Sequence, residues 1–241
     1  MTATEESTEA APALRFAGVS LRRGSRIVFA DLTLAVHPGE VWFLVGRNGS
    51  GKSTLLDAAL GLLTPVCGAI QRAPGLASRR EVGYVPQRCT LDPTLPTTVA
   101  EFVRLGLVGL GLGADDERTR VAEALAAVEL ADHARRSFWA HSEGQRQRLL
   151  LARALARRPR FLLMDEPTAA LDPAAARRFF DLVAARAEGP APPTVVCATH
   201  DLDAVERLAT HVAICRAGPG SSRVDVHTGS VGPAVREAFA R

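Results

Sequence analysis

The sequence is almost devoid of lysine, because its 29 basic residues comprise 28 arginines and the single lysine Lys52. Against 26 acidic residues, the formal net charge is only +3. This balance does not indicate nucleic acid or another polyanion as a partner. Since basic positions in this chain are otherwise filled by arginine, Lys52 is expected to have a specific task.

Long apolar segments are also missing. The longest stretch without a charge or a histidine, residues 58–71, has 14 residues, whereas a membrane-spanning helix needs roughly 18 to 20 apolar residues. Residues 1–13 carry three glutamates but no basic residue, which argues against a secretory signal and predicts a disordered tail. The four cysteines lack metal-finger spacing, so we expect free thiols in a reducing compartment.

Short apolar runs alternate with helical segments along the chain. Its 241 residues, 47% hydrophobic and 23% charged, fit one folded domain. Runs too short for a helix predict parallel strands that are covered on both faces. These runs are Val41–Val45, Val82–Val85, 161–164, Thr194–Ala198 and 211–215. Helices are predicted between them, for example over 52–60 and Pro173–Ala187.

Two regions depart from this alternation. Segments 14–19 and 31–36, with a turn around Gly24 between them, predict an N-terminal antiparallel β subdomain. From 97 to 158 only helical spacing is found, over 98–107, 115–130 and 144–158. The sequence therefore predicts an α/β fold over 14–241, with a mostly parallel core sheet and a helical subdomain inserted at about 97–158.

A phosphate-loop pattern follows the first central strand. The sequence G-R-N-G-S-G-K-S at 46–53 fits G-x-x-x-x-G-K-[ST]. Its glycines allow backbone N–H groups to turn inward at the start of a helix, where an anion is favoured. The alternative is a glycine-rich turn with an ordinary surface lysine. The predicted phosphate-binding residues are Gly46, Arg47, Asn48, Gly49, Ser50, Gly51, Lys52, Ser53 and Thr54.

Two adjacent carboxylates end a later strand. Neighbouring residues at a strand end point to different sides, so Asp165 and Glu166 cannot share one task. Asp165 is predicted to hold Mg²⁺, directly or through water, together with Ser53, and Glu166 to polarise an attacking water. The alternative, a solvated strand end, is common for acidic residues.

Further segments carry a resemblance to a known family. The sequence S-E-G-Q at 142–145 stands 23 positions before Asp165, counted from Ser142. It follows Gln87 in G-Y-V-P-Q and precedes A-L-D at 170–172 and His200. In this order the motifs resemble those of ABC (ATP-binding cassette) ATPases, over about residues 14–227. The resemblance implies a P-loop NTPase that hydrolyses ATP with Mg²⁺ between two cassettes packed head to tail as a homodimer.

The resemblance also implies roles for individual residues. Ser142, Gly144 and Gln145 would bind the nucleotide of the opposite subunit. Gln87 and His200 would join Glu166 as catalytic residues, and Gln87 would also be a Mg²⁺ ligand. An alternative for His200 is an imidazole that simply precedes the helix N-cap Asp201.

The chain departs from the family pattern at three positions. Arg23 stands where the family has an aromatic residue stacked on adenine, and its flat guanidinium could stack instead. Phe16 is the nearest aromatic alternative. His141 and Glu143 replace a leucine and a glycine of the signature motif. A carboxylate at position 143 is unfavourable beside phosphate unless its side chain turns to solvent.

The segment after Gln87, residues 91–99, resembles that of ATPase subunits of zinc and manganese importers. This likeness implies a transmembrane permease and a substrate-binding protein as partners, without nucleic acid. The cassette would then lie peripherally at the cytoplasmic face of the inner (cell) membrane. The alternatives are the ATPase of another ABC importer or exporter, a soluble ABC protein of translation or DNA repair, and a degenerate cassette with weak turnover.

Overall fold

The computed structural model describes residues 11–89, 92–218 and 220–228. Residues 1–10 of the predicted tail, Leu91, and residues 229–241 of the predicted ATPase domain lie outside the described residues. Ala13 is buried, and its backbone forms 2.8 Å hydrogen bonds with Val36 and Ala73. The prediction of a disordered tail is therefore wrong at its last residue, because Ala13 already belongs to the packed chain.

Nine strands and seven α-helices are formed by the described residues. The strands are β1 (Leu14–Arg23), β2 (Arg26–Val36), β3 (Val41–Val45), β4 (Cys67–Arg72), β5 (Val82–Val85), β6 (Phe161–Asp165), β7 (Thr194–Ala198), β8 (His211–Arg216) and β9 (Arg223–Thr228). The helices are α1 (Lys52–Ala59), α2 (Pro74–Ala77), α3 (Val99–Arg104), α4 (Ala114–Ala127), α5 (Glu143–Leu155), α6 (Pro173–Ala187) and α7 (Leu202–Leu208).

The core sheet has six strands in the order β5-β6-β7-β3-β8-β9. All neighbours are parallel except β8 and β9, which confirms the predicted, mostly parallel sheet. Strand β3 is buried along its whole length. Its Phe43 packs in the cluster that contains α5 and α6, and Leu44 packs in the cluster that contains α1. Because the parallel strands end at one edge, the loops that follow them meet there.

The second sheet is antiparallel, in the order β2-β1-β4, and confirms the predicted N-terminal β subdomain. Its apolar face, with Phe16, Phe29 and Leu34, shares one core with α1. Strand β4 is an addition to the prediction, since only the first two strands are expected from the sequence. Packing on α1 brings the β1–β2 hairpin next to the phosphate loop.

Helices α3, α4 and α5 form the inserted subdomain, again as predicted. The Phe102 and Phe138 rings stack at 4.2 Å in its interior. The first two helices are shorter than expected, since a 3-10 turn, Leu105–Leu107, follows α3 and Glu129 leaves the helical conformation at φ 60°. Within the described ranges, no helix is both long and apolar enough to cross a membrane.

Candidate functional site

The phosphate loop joins β3 to α1, and its glycines are required by close backbone packing. Gly51 has φ 103°, and a Cβ there would lie 2.5 Å from the Phe29 ring. A Cβ on Gly46, at φ 146°, would lie 2.2 Å from the Cys215 carbonyl oxygen. Any side chain at these positions would displace the loop, because glycine alone fits both the dihedral angle and the space.

Lys52 is buried, with its ammonium directed into the loop. Its side chain is 4% exposed, and Nζ donates to the Gly46 carbonyl oxygen at 2.9 Å. Nζ also lies 3.2 Å from Glu166 Oε1. A buried ammonium needs such partners, and here they come from the loop itself and from the end of β6.

A phosphate group fits the groups that surround Lys52. The Ser50 Oγ atom is buried and, among the described residues, has no hydrogen-bond partner. Gly49 has φ 78° with open space beside its Cα, and α1 begins directly after the loop. An anion in this cradle would accept from the Ser50 hydroxyl, the backbone N–H groups and the ammonium.

Glu166 is the centre of the polar contacts in the cleft. Its Oε1 lies 3.0 Å from His200 Nε2, and its Oε2 accepts from Gln87 Nε2 at 3.4 Å. His200 Nε2 also lies 3.0 Å from Asn48 Oδ1 and 3.2 Å from Lys52 Nζ, so this nitrogen lies between two acceptors and one ammonium donor. Glu166 has φ 43°, a strained angle for a non-glycine residue that is often stored at functional sites.

Asp165 has a different partner, as the strand geometry requires. Its Oδ1 accepts from Ser53 Oγ at 3.1 Å. Burial raises the pKa of the Asp165 carboxyl, and the nearby Glu166 charge raises it further, while the Ser53 hydrogen bond partly offsets this. Two hard oxygen ligands beside a phosphate cradle are donors that suit Mg²⁺, and Gln87 at the same cleft can add a third.

The raised pKa of Asp165 leads to a stability prediction for the Asp165→Asn variant. Above its raised pKa, the Asp165 carboxylate is ionised in the folded protein and destabilises it. This destabilisation disappears when the pH falls below the pKa of an ordinary aspartate. Without nucleotide or metal, the variant should therefore melt about 1 to 3 °C above the wild type at pH 7.5. The difference should narrow as the pH is lowered and vanish below the ordinary aspartate value of 3.8, as measured by calorimetry over a series of pH values. A lower melting temperature at pH 7.5 would contradict the assigned cost.

The cleft of about 550 Å³ extends from the phosphate loop to the β1–β2 hairpin. At the hairpin end it is lined by Arg23, Arg26 and Val28. Arg23 forms an ion pair with Asp57 of α1. Phe16 is buried in the core and only 1% exposed. The alternative prediction that Phe16 contacts the base is therefore wrong. Arg26 was not predicted as a cleft residue from the sequence. Its position opposite Arg23 across a short turn could have indicated that it lies at the same end of the cleft.

The signature residues lie at the start of α5 and do not line this cleft. Ser142 caps the helix, since its Oγ accepts from the Gln145 N–H at 3.3 Å and its own N–H donates to Gln145 Oε1 at 3.1 Å. Glu143 pairs with Arg146 and is 49% exposed, so its carboxylate is turned to solvent. Gly144 also belongs to this first turn. The chain thus assembles the phosphate loop, Gln87, Asp165, Glu166 and His200, but not the signature residues.

His141 is accommodated by hydrogen bonds instead of by apolar packing. The side chain is 6% exposed. Its Nδ1 lies 2.8 Å from the Ser137 carbonyl oxygen, and its Nε2 lies 2.8 Å from His133 Nδ1. Burial and the neighbouring Arg136 and His141 lower the pKa of His133. The two imidazoles therefore pair with each other, and the lowered pKa of His133 favours the neutral form of that ring.

The fold and the cleft together define a P-loop nucleotide hydrolase with an inserted helical subdomain. The profile of the ABC transporter family matches residues 29–169. The chain belongs to this family: it is an ATP-binding, ATP-hydrolysing cassette of the ABC type. The zinc import ATP-binding protein ZnuC of Ruegeria pomeroyi is 40% identical over 207 residues, which cover 86% of this chain and 76% of that protein.

Solved structures agree with this assignment. An ABC transporter described as being of the metal-chelate type, in an inward-facing conformation, matches with a TM-score of 0.78 and 26% identity. The match covers 93% of this chain and 88% of that one. A bacterial ABC transporter cassette solved as a dimer has a TM-score of 0.74 and 28% identity, over 89% of this chain and 98% of its own.

Proposed function

We propose that this chain is the ATPase subunit of a zinc importer. It acts as a head-to-tail homodimer bound to a transmembrane permease at the cytoplasmic face of the inner membrane, and a substrate-binding protein delivers the metal. The ATPase domain spans 14–241, with its helical insertion at about 97–158. The observation that carries the proposal is a catalytic cleft in a chain 40% identical to a zinc import ATPase.

The contacts of Lys52 give the first step of the mechanism. Before nucleotide enters, Nζ is paired with Glu166 at 3.2 Å. The γ-phosphate competes for the same ammonium, because it is also an anion within reach of Nζ. Binding therefore releases Glu166 from Lys52, and its carboxylate becomes free to accept a proton from the attacking water.

The other cleft residues hold the reacting groups. The His200 imidazole contacts the γ-phosphate from the same subunit, and Gln87 positions the water beside Glu166. Ser53, Asp165 and Gln87 would hold Mg²⁺, and the ion would supply positive charge to offset that of the phosphates. Ser142, Gly144 and Gln145 complete the site from the partner subunit, as the resemblance to ABC ATPases implies, and in their own chain they do not line the cleft.

A groove in the helical insertion supports docking of a permease. It has a volume of about 500 Å³ between α3 and α4 and an apolar floor that includes Ala100, Val121 and Leu125. Leu105 and Val108 are exposed nearby, at 49% and 71%. Exposed apolar side chains beside a groove are typical of a protein interaction surface. In the sequence this surface follows Gln87, because α3 begins at Val99.

The test is reconstitution of the cassette with its genomically adjacent permease in lipid vesicles. We expect the ATPase rate to rise when the binding protein is loaded with zinc, and not with the metal-free binding protein. The Val108→Asp variant should lose this stimulation yet retain the basal rate of the free cassette, since Val108 does not line the nucleotide cleft. Stimulation by a sugar, an amino acid or a lipid, or outward movement of substrate, would contradict the zinc import proposal.

A further inference from the structure

The nucleotide cleft has two chemically different ends. The phosphate loop and Lys52 form one end, and Arg23, Arg26 and Val28 of the β1–β2 hairpin form the other. With its phosphates in the loop, a nucleoside triphosphate places its base towards the hairpin. The base therefore meets arginine side chains, on the assumption that the proposed nucleotide site is correct.

The two arginines differ in the donors that they can offer. Arg23 is paired with Asp57, which fixes its guanidinium beside α1. Arg26 faces Arg23 across the hairpin and is exposed. In the ranges that the structure describes, no hydrogen bond or ion pair engages the Arg26 side chain. Arg26 can therefore direct its whole donor fork at a ligand.

A guanidinium distinguishes the two purines by their edges. It has five N–H donors, no acceptor, and cannot be deprotonated in a protein. Guanine presents the adjacent acceptors O6 and N7, which match the fork in a bidentate manner. Adenine presents N7 beside the donor N6, so one arm of the fork would meet another donor. An aromatic side chain stacked on the face of the base lacks this preference.

We propose that Arg26 contacts the O6 and N7 edge of the base and that this cassette uses GTP at least as well as ATP. Arg23, held by Asp57, supplies a flat surface at the same end of the cleft. Arg26 is thus a specificity-determining residue of the hydrolysis reaction. Its solvent exposure limits the preference, because water competes for the same donors.

The experiment measures phosphate release and compares kcat/KM for GTP and for ATP. The wild-type ratio of GTP to ATP should lie between about 1 and 10. The Arg26→Lys variant keeps the charge but loses the fork, so its ratio should fall about three- to tenfold. The Arg22→Lys variant is the matched control, because Arg22 is exposed on the same hairpin but does not line the cleft. Its ratio should equal that of the wild type.

A binding measurement tests the base preference separately from hydrolysis. Competition of GTP against labelled ATP on the Glu166→Gln variant should show GTP binding at least as tightly as ATP. Tighter ATP binding, or a ratio unchanged by Arg26→Lys, would overturn the proposal. Equal weakening of both nucleotides in Arg26→Ala with recovery in Arg26→Lys would also overturn it, because Arg26 would then act only as a charge. If neither nucleotide binds, the proposed nucleotide site is itself contradicted. If only ATP binds, the proposed preference for guanine is contradicted and the nucleotide site is not.

Discussion

Replacing Glu166 with glutamine is expected to lower the ATPase rate at least about 100-fold, because the amide cannot accept the proton of the attacking water. ATP affinity should be retained or slightly increased. The wild-type carboxylate holds the Lys52 ammonium at 3.2 Å, and a phosphate must displace it. A neutral glutamine releases Lys52 without a competing anion.

The measurements are phosphate release, ATP binding and size exclusion with and without ATP. An ATP-stabilised dimer should accumulate in Glu166→Gln, since closure proceeds and reopening requires hydrolysis. Glu123→Gln is a suitable control, because Glu123 is paired with Arg158 on the surface and is 55% exposed. If the Glu166→Gln rate stays within a few-fold of the wild-type rate, Glu166 is not the general base, and His200 is the next candidate.

The buried parts of the fold were predictable because their signals are local. The apolar run at β3 and the glycine pattern after it each lie within a few consecutive residues. Strands β4 and β9 were not predicted. Both lie at the edge of their sheet with several exposed side chains, so neither has an unbroken apolar run. Their pairing depends on hydrogen bonds to β1 and β8, which sequence periodicity does not report.

The sequence indicated which residues form the candidate cleft, but not how they contact one another. Lys52, Glu166 and His200 are more than 30 positions apart from one another in the sequence, and parallel strands bring them to one sheet edge. Their mutual distances of 3.0 to 3.2 Å follow only from the packed sheet. The strained φ of Glu166 and the position of Arg26 in the cleft likewise arise from tertiary structure, which overrides local preference.

The paired helix caps of the insertion allow a test of the head-to-tail site. Ser142 caps α5 in a capping box with Gln145, and Thr98 caps α3 in a capping box with Glu101. Loss of either cap should cost about 1 kcal/mol of stability. Only Ser142 is proposed to reach the nucleotide of the partner subunit. The two alanine variants therefore separate the structural role of a cap from a contact across the dimer.

The Ser142→Ala variant should lower kcat about 10- to 100-fold, the effect of losing a hydrogen bond to a charged phosphate. Thr98→Ala should retain the kcat of the free cassette while melting at a similarly reduced temperature. Combined with Glu166→Gln, Ser142→Ala should bind ATP as a monomer and fail to accumulate the dimer on size exclusion. Equal rates in the two alanine variants would restrict Ser142 to its capping role and would contradict its proposed contact with the nucleotide of the partner subunit.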